Sequence, residues 1–267
     1  MRILVTAQVL GAEADVDWRR VVREAAQRCG ESGGQLCARL KGLTRCTGTA
    51  LKVLREFYES VPPELDAVVL LRDDDDRRQT YDLEFFGEEG EQTHARFDDE
   101  EDDQSRDFVA VGGTFDHLHA GHRLLLAATA LATKRRVFVG IAGDELLRAK
   151  KFASALQPFD ARKESVLAYF RLSRPDLPVD VSALLDPAQP PKAATVEAIT
   201  GLVVSEETLP GAEKLRTLRR DRGLSEPLHF IVVGLIGGGD DKRDDKLSST
   251  DIRRRLQSQS SLPLTSS

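Results

Sequence analysis

Residues 110–132 read AVGGTFDHLHAGHRLLLAATALA. The stretch opens as an apolar strand, passes through Gly112 and Gly113, gathers His117, His119 and His122, and continues as an Ala/Leu-rich helix. A strand-to-helix turn calls for glycine but not for imidazole, and the chain has only five histidines to place. If the turn joins a parallel strand to its crossover helix, the free N–H groups and positive dipole end of that helix face the strand tip. That is an anion site before any side chain acts. The paired glycines let the backbone approach a ligand closely. Gly121 removes a side chain between His119 and His122, which are three apart around the helix start and able to face one spot.

The same spacing would suit a zinc pair. Against that, no carboxylate or cysteine ligand follows at a matching distance, and the glycines would have no use. Imidazoles packed into a structural turn are the other reading, with His117 the first that would go to structure.

C-terminal to this stretch the alternation continues. Apolar strands are expected at 107–114, 136–142, 178–185, 201–205 and 228–236, with helices at 121–134, 158–172 and 211–222. Pro158 and Pro210 open two of the helices, where proline's missing N–H costs nothing. Near-continuous apolar strands alternating with helices predict a doubly wound, Rossmann-like α/β domain with a five-stranded parallel sheet covered on both faces. In such sheets ligands bind beyond the carboxyl ends of the strands, where strand order reverses.

N-terminal to it, the acidic run DDEEDD at 98–103 marks a linker, because like charges repel and stay solvated. Residues 1–104 are expected to form a smaller α/β domain, with residues 105–267 as the larger one. The smaller domain reads as a strand at about 2–9, an amphipathic helix DVDWRRVVREAAQRCG capped by Asp15, a helix near 49–60 and the strand DAVVLLR. TYDLEFFG adds a candidate strand, and no catalytic motif is visible in this part.

Composition sets the outer limits. The chain has 267 residues, 40% of them hydrophobic and 31% charged, which fits a soluble globular protein. No apolar run approaches the roughly 18–20 residues of a membrane span, and MRILVTAQVL reads as a strand without signal-peptide flanks. A cytoplasmic protein is expected. Cys29, Cys37 and Cys46 fit neither a disulfide framework nor a zinc site. A net charge of −6, with a further acidic run at 73–76, argues against a nucleic-acid partner. Any anionic ligand must be held by a local site.

GGTFDHLHAGH resembles the T-x-G-H or H-x-G-H signature of the nucleotidyltransferase superfamily. Near the other end, KLSSTDIRRRL (246–256) resembles the superfamily's second phosphate motif. Read physically, Ser248 is an N-cap with Asp251 three residues on, Ser249 and Thr250 add hydroxyls, and Arg253 can reach an oxygen bidentately one turn later. VVSEET (203–208), followed by RGL (222–224), resembles phosphopantetheine adenylyltransferases of the archaeal and eukaryotic type. So does the segment GDELLRAKKF. One departure is Arg216, where that family often has Asn.

The resemblance implies transfer of AMP from ATP to 4′-phosphopantetheine, giving dephospho-coenzyme A and pyrophosphate. By the same resemblance His122 bonds the α-phosphate, His119 holds the β-phosphate side, and Thr114 orients the α-phosphate or the acceptor. Lys150, with Lys151 as the alternative in register, bridges acceptor and α-phosphate. Ser248, Ser249, Thr250 and Arg253 hold the phosphates that leave. Gly112, Gly113, Phe115 and Gly121 line the ATP site, and Ser205, Glu206, Glu207 and Thr208 lie beside the nucleotide. Mg²⁺ is expected on phosphate oxygens, with no protein metal site. A monomer is expected, with contact to other coenzyme A enzymes conceivable. Transfer to nicotinamide mononucleotide, a CTP-dependent cytidylyl transfer, and a non-catalytic nucleotide-binding role are the alternatives.

Overall fold

The computed structural model describes residues 2–8, 35–41, 45–62, 65–71, 83–86, 102–186, 189–236 and 249–260. The expected Asp15 helix, the acidic run at 73–76, most of the run at 98–103 and Ser248 lie outside the described residues.

The C-terminal half is the expected parallel sheet. Its strands are β5 (Arg106–Gly113), β6 (Thr133–Ala142), β7 (Val179–Leu184), β8 (Gly201–Ser205) and β9 (His229–Val233), in the order β7-β6-β5-β8-β9. All four pairings are parallel. The period of two along each strand sorts side chains to two faces. Val109, Val111, Val137, Val139 and Val203 enter one apolar cluster, whereas Ala110, Phe138, Leu202 and Val204 enter the other. A strand buried on both faces must be apolar throughout, which is why these segments read as continuous runs.

The helices are α2 (Ala120–Ala132), α3 (Asp144–Leu147), α4 (Phe159–Ser173), α5 (Leu209–Asp221) and α6 (Ser249–Ser260), following α1 (Gly48–Ser60) of the N-terminal half. Chain order runs outward from β5 through β6 to β7 on one side and from β8 to β9 on the other. Strand order therefore reverses between β5 and β8. The histidine loop leaves β5 and the SEET turn leaves β8, so both sit at the crevice where such sheets bind ligands.

The N-terminal half carries a second parallel sheet, ordered β3-β2-β1-β4, from β1 (Arg2–Gln8), β2 (Gln35–Lys41), β3 (Asp66–Leu70) and β4 (Leu83–Phe86). β2 was not anticipated. Its sequence QLCARLK carries Arg39 and Lys41, and its partners β1 and β3 are remote in sequence, so local pattern gives little sign of it. Once paired, Leu36, Cys37, Ala38 and Leu40 are buried. The Cys46 thiol is also buried, and burial, helped by the Asp103 carboxylate, pushes its pKa up to about 12. One apolar cluster contains Leu36, Phe57 and Val69 from the N-terminal half together with Val109, Leu126 and Phe170 from the C-terminal half.

Candidate active site

β5 ends on a loop that is tightly fixed. Phe115 and His117 adopt the left-handed region, at φ 49° and 45°, which non-glycine residues hold only when their surroundings impose it. The surroundings are identifiable. Phe115 is fully buried, and a Cβ on Gly113 would lie 3.1 Å from its ring, so Gly113 admits the ring beneath the strand end. Asp116 is fully buried and accepts a hydrogen bond from the Gln157 backbone N–H at 2.9 Å. Gln157 returns its Oε1 to the His117 backbone N–H at 2.7 Å, and the His117 Nε2 lies 2.9 Å from the Ala155 carbonyl. His117 thus belongs to the structural framework.

His119 is the N-cap residue of α2, with extended backbone and no side-chain cap bond, so the first N–H groups of the helix keep their donor capacity for a ligand. The rings of His119 and His122 stack at 4.0 Å between centroids, 30° from parallel. A Cβ on Gly121 would lie 3.2 Å from the His119 ring, which accounts for glycine there. By contrast a Cβ on Gly112 would come no nearer than 3.8 Å to anything, so Gly112 leaves open surface rather than relieving a clash. His122 is buried beside Phe115, and its Nδ1 is buried with no hydrogen-bond partner among the described residues. An unpartnered buried imidazole nitrogen is costly unless a ligand completes it.

Both imidazoles are neutral at pH 7. Burial, with the Arg123 charge adding to it and Asp116 opposing, lowers the His119 pKa to about 4. Burial, then His119 and Arg123, puts His122 well below its ordinary value. Because the folded values lie below the unfolded ones, the unfolded chain binds more protons at mildly acid pH. The corresponding stability is complete above about pH 6.5 and is lost as pH falls toward the folded values. For His119 alone this is on the order of 3 kcal/mol. The melting temperature should therefore drop between pH 6.5 and 4.5, and His119→Gln should flatten that drop in a thermal-unfolding series. An unchanged slope in the variant would remove His119 as its source.

The second motif meets the first. The Ser249 hydroxyl, at the start of α6, donates to the Asp116 carbonyl at 3.1 Å. Arg253, 3% exposed, places Nη1 2.6 Å from Asp116 Oδ2, donates through Nε to the Lys151 carbonyl at 3.2 Å, and donates through Nη2 to Thr250 Oγ1 at 3.2 Å. Nη1 ties α6 to the histidine loop, Nε ties it to the lysine turn, and Nη2 bonds within α6, which leaves N–H groups of the five-donor guanidinium for a phosphate oxygen. Lys150 and Lys151 are both exposed on that turn, and only the backbone of Lys151 is held by Arg253.

On the other side of the crevice the SEET segment closes on itself. Thr208, the N-cap of α5, accepts from the Ser205 N–H at 3.1 Å, and the two hydroxyls lie 3.1 Å apart. The Glu206 N–H donates to the Val233 carbonyl at 3.2 Å, and Glu206 and Glu207 are exposed beyond the strand ends. Arg216 stacks on Phe230, 3.8 Å from the ring centroid, and donates to the Leu228 carbonyl at 3.0 Å. The departure at this position thus has a use in packing α5 on β9.

Sequence reasoning missed Arg162. It is fully buried in α4 and donates to the Thr114 carbonyl at 2.8 Å, the Ala142 carbonyl at 2.7 Å and the Gln157 carbonyl at 2.9 Å, with Asp144 Oδ1 at 2.6 Å. It pins the carboxyl ends of β5 and β6 together beneath the loop. The available signal was its place on the apolar stripe of α4 with Val166, Tyr169 and Phe170, where an unpaired charge would be prohibitive.

The comparisons with known proteins agree with this geometry. Residues 110–255 match the Cytidylyltransferase-like family. The chain is 43% identical over 154 residues to the phosphopantetheine adenylyltransferase of Saccharomyces cerevisiae, covering 57% of this chain and 50% of that protein. It is 33% identical to the phosphopantetheine adenylyltransferase of Thermococcus gammatolerans and 37% to that of Methanothermobacter thermautotrophicus, over 55% of this chain in each case, and over 88% and 82% of those proteins. The chain thus spans about half the length of the yeast relative and most of the archaeal ones. With the strand order, the histidine loop and the matched range in agreement, the chain belongs to the cytidylyltransferase-like family, among the phosphopantetheine adenylyltransferases.

Proposed function

We propose that this chain transfers AMP from ATP to 4′-phosphopantetheine in the cytoplasm, as a monomer. The observation that carries the proposal is the meeting of the two phosphate motifs. The Ser249 hydroxyl at the start of α6 bonds to Asp116, three residues from the N-cap histidine of α2, so two helix starts face one crevice at the strand-order reversal.

In the proposed reaction a phosphate oxygen of the acceptor attacks the α-phosphorus of ATP, and the bond from that phosphorus to the bridging oxygen breaks. Pyrophosphate leaves carrying the electron pair. Both the nucleophile and the leaving group are already oxyanions, so the chain need supply no covalent nucleophile. Its task is to hold two anions in line and to stabilise charge on the equatorial oxygens. Neutral His122 and His119 each still donate one N–H. They are proposed to serve the α-phosphate and the β-phosphate, with the free N–H groups of α2 beside them. Thr114 orients the α-phosphate, its carbonyl held by Arg162. Lys150 supplies a mobile charge between acceptor and α-phosphate. Ser249 and Thr250, with Ser248 assigned from its motif alone, are proposed to hold the departing phosphates, and Ser205 to Thr208 to border the nucleotide. Arg253 is assigned to positioning.

Mg²⁺ is proposed to arrive on the phosphates. Asp116, the carboxylate acting on His119, has both oxygens engaged by Gln157 and Arg253, so it is not assigned to the metal, and phosphate oxygens and water are proposed as the main ligands.

The test is pyrophosphate release from ATP offered with 4′-phosphopantetheine, with nicotinamide mononucleotide, and from CTP offered with phosphocholine or glycerol phosphate. Release only with the first acceptor is expected. Turnover confined to another pair would replace the substrate assignment, and ATP binding without turnover on any acceptor would end the enzymatic reading.

A further inference from the structure

Among the described residues the N-terminal half contributes no group to the two phosphate motifs, yet it is placed against the helix that bears the histidines. From Leu126 to Ala132 every residue of α2 is buried. A helix lying on one sheet needs an apolar stripe, and one that is apolar all round needs cover on its other side as well. That cover is α1 and β3, which pack on α2, while β3 also packs on α4.

The contact is more than an apolar lid. The Tyr58 and Tyr169 hydroxyls pair at 2.9 Å with both side chains fully or nearly fully buried. The Ser173 hydroxyl donates to the Val69 carbonyl at 2.6 Å, and the Leu71 N–H donates to the Ser173 carbonyl at 3.2 Å, so the end of α4 is bonded along β3. Arg123, the residue after His122, donates through Nη1 to the Ala67 carbonyl at 3.2 Å and forms an ion pair with Asp66, Nη1 lying 2.6 Å from Oδ1 without hydrogen-bond geometry. The other Asp66 oxygen accepts from Gln35 Nε2 at 2.8 Å, which fixes the carboxylate within the N-terminal sheet. Apolar surfaces can slide with little penalty, whereas polar contacts along the seam, buried at the tyrosine pair and half-exposed at Asp66, favour one register and one rotation. Here the residue they fix adjoins the imidazole with the unpartnered buried nitrogen.

We propose that the N-terminal unit is a brace for the histidine helix: Asp66 on β3 holds Arg123 and so sets the rotation of the first turn of α2. Asp66 and Arg123 are positioning residues, acting through His119 and His122. The inference concerns the helix and stands apart from the choice of acceptor. Only its turnover readout rests on the adenylyl-transfer reading.

The experiment uses the full chain. Asp66→Asn removes the charge without changing the size of the side chain, and Asp66→Glu restores it. Amide hydrogen exchange is followed at residues 123–126, whose N–H groups close the first turn of α2, and, as an internal reference, at the β6 core 137–141. In Asp66→Asn, exchange at 123–126 should rise about tenfold while 137–141 stays protected. Turnover should fall about tenfold with KM for ATP little changed, and Asp66→Glu should recover part of both effects. Arg123→Lys, which keeps charge but loses the fork, should act in the same direction. Parental exchange at 123–126 in both Asp66→Asn and Arg123→Lys overturns the brace, whatever the turnover. So does a rise shared equally by 137–141, since that is general loosening. If the parent protein transfers AMP to no acceptor, the functional proposal fails, and the exchange comparison still decides this one.

Discussion

His122→Ala is expected to lower turnover roughly 10²- to 10³-fold while weakening ATP binding far less. The reason lies in where the side chain sits. His122 is buried against Phe115, stacked with His119, and carries a buried nitrogen that no described group satisfies. A donor held this rigidly in a dry site needs no reorganisation when charge spreads over the α-phosphate, so its bond strengthens most in the transition state. On the proposed assignment, ground-state binding is shared with the α2 N–H groups and the hydroxyls at α6, which the substitution leaves in place. Truncation also removes a ring from the core, so His122→Gln, closer to the imidazole in size, serves as the companion variant. The measurement is single-turnover AMP transfer with saturating ATP alongside ATP affinity from calorimetry. Turnover within threefold of the parent in both variants would take His122 out of the chemistry.

The fold was legible because its strands are buried on both faces. Continuous apolar runs such as Val109–Val111 and Val137–Ile141 leave a parallel sheet as the economical solution, and each of the five expected strands overlaps an observed one. β2 was not legible, since its apolar residues are interrupted by charges and its partners are distant in sequence. At the candidate site the residue types of the histidine loop were readable, as glycine and imidazole at a strand end have few other uses. What could not be read was the internal bonding of the charged residues. Nothing local distinguishes Arg253, spent on Asp116, from an arginine aimed at a ligand, nor identifies Arg162 as the clamp between two strand ends. Those partners are set by tertiary contacts more than 100 residues apart for Arg253, and by a helix packed on strand ends for Arg162.

Arg253→Ala should therefore destabilise the protein by about 3–5 kcal/mol, a larger effect than loss of one phosphate contact at a surface would give. Asp116 is fully buried, and deleting its partner strands a carboxylate where water cannot reach. The attraction between the two gains little against a well-packed apolar alternative, but the uncompensated charge is expensive. A double-mutant cycle with Asp116→Asn separates the terms: because the variants remove the same contact, their costs should fall short of adding by about 1–3 kcal/mol. Costs that add would mean the pair is not a unit. Function should follow the same coupling. Either substitution frees α6 from the histidine loop, with the Ser249 bond to Asp116 strained or lost, so KM for ATP should rise in both. If instead Arg253→Ala abolished ATP binding at a temperature where it is folded, while Asp116→Asn bound ATP normally, the guanidinium would be acting on the triphosphate directly. The positioning role drawn from its three protein partners would then give way to the one its sequence motif suggests.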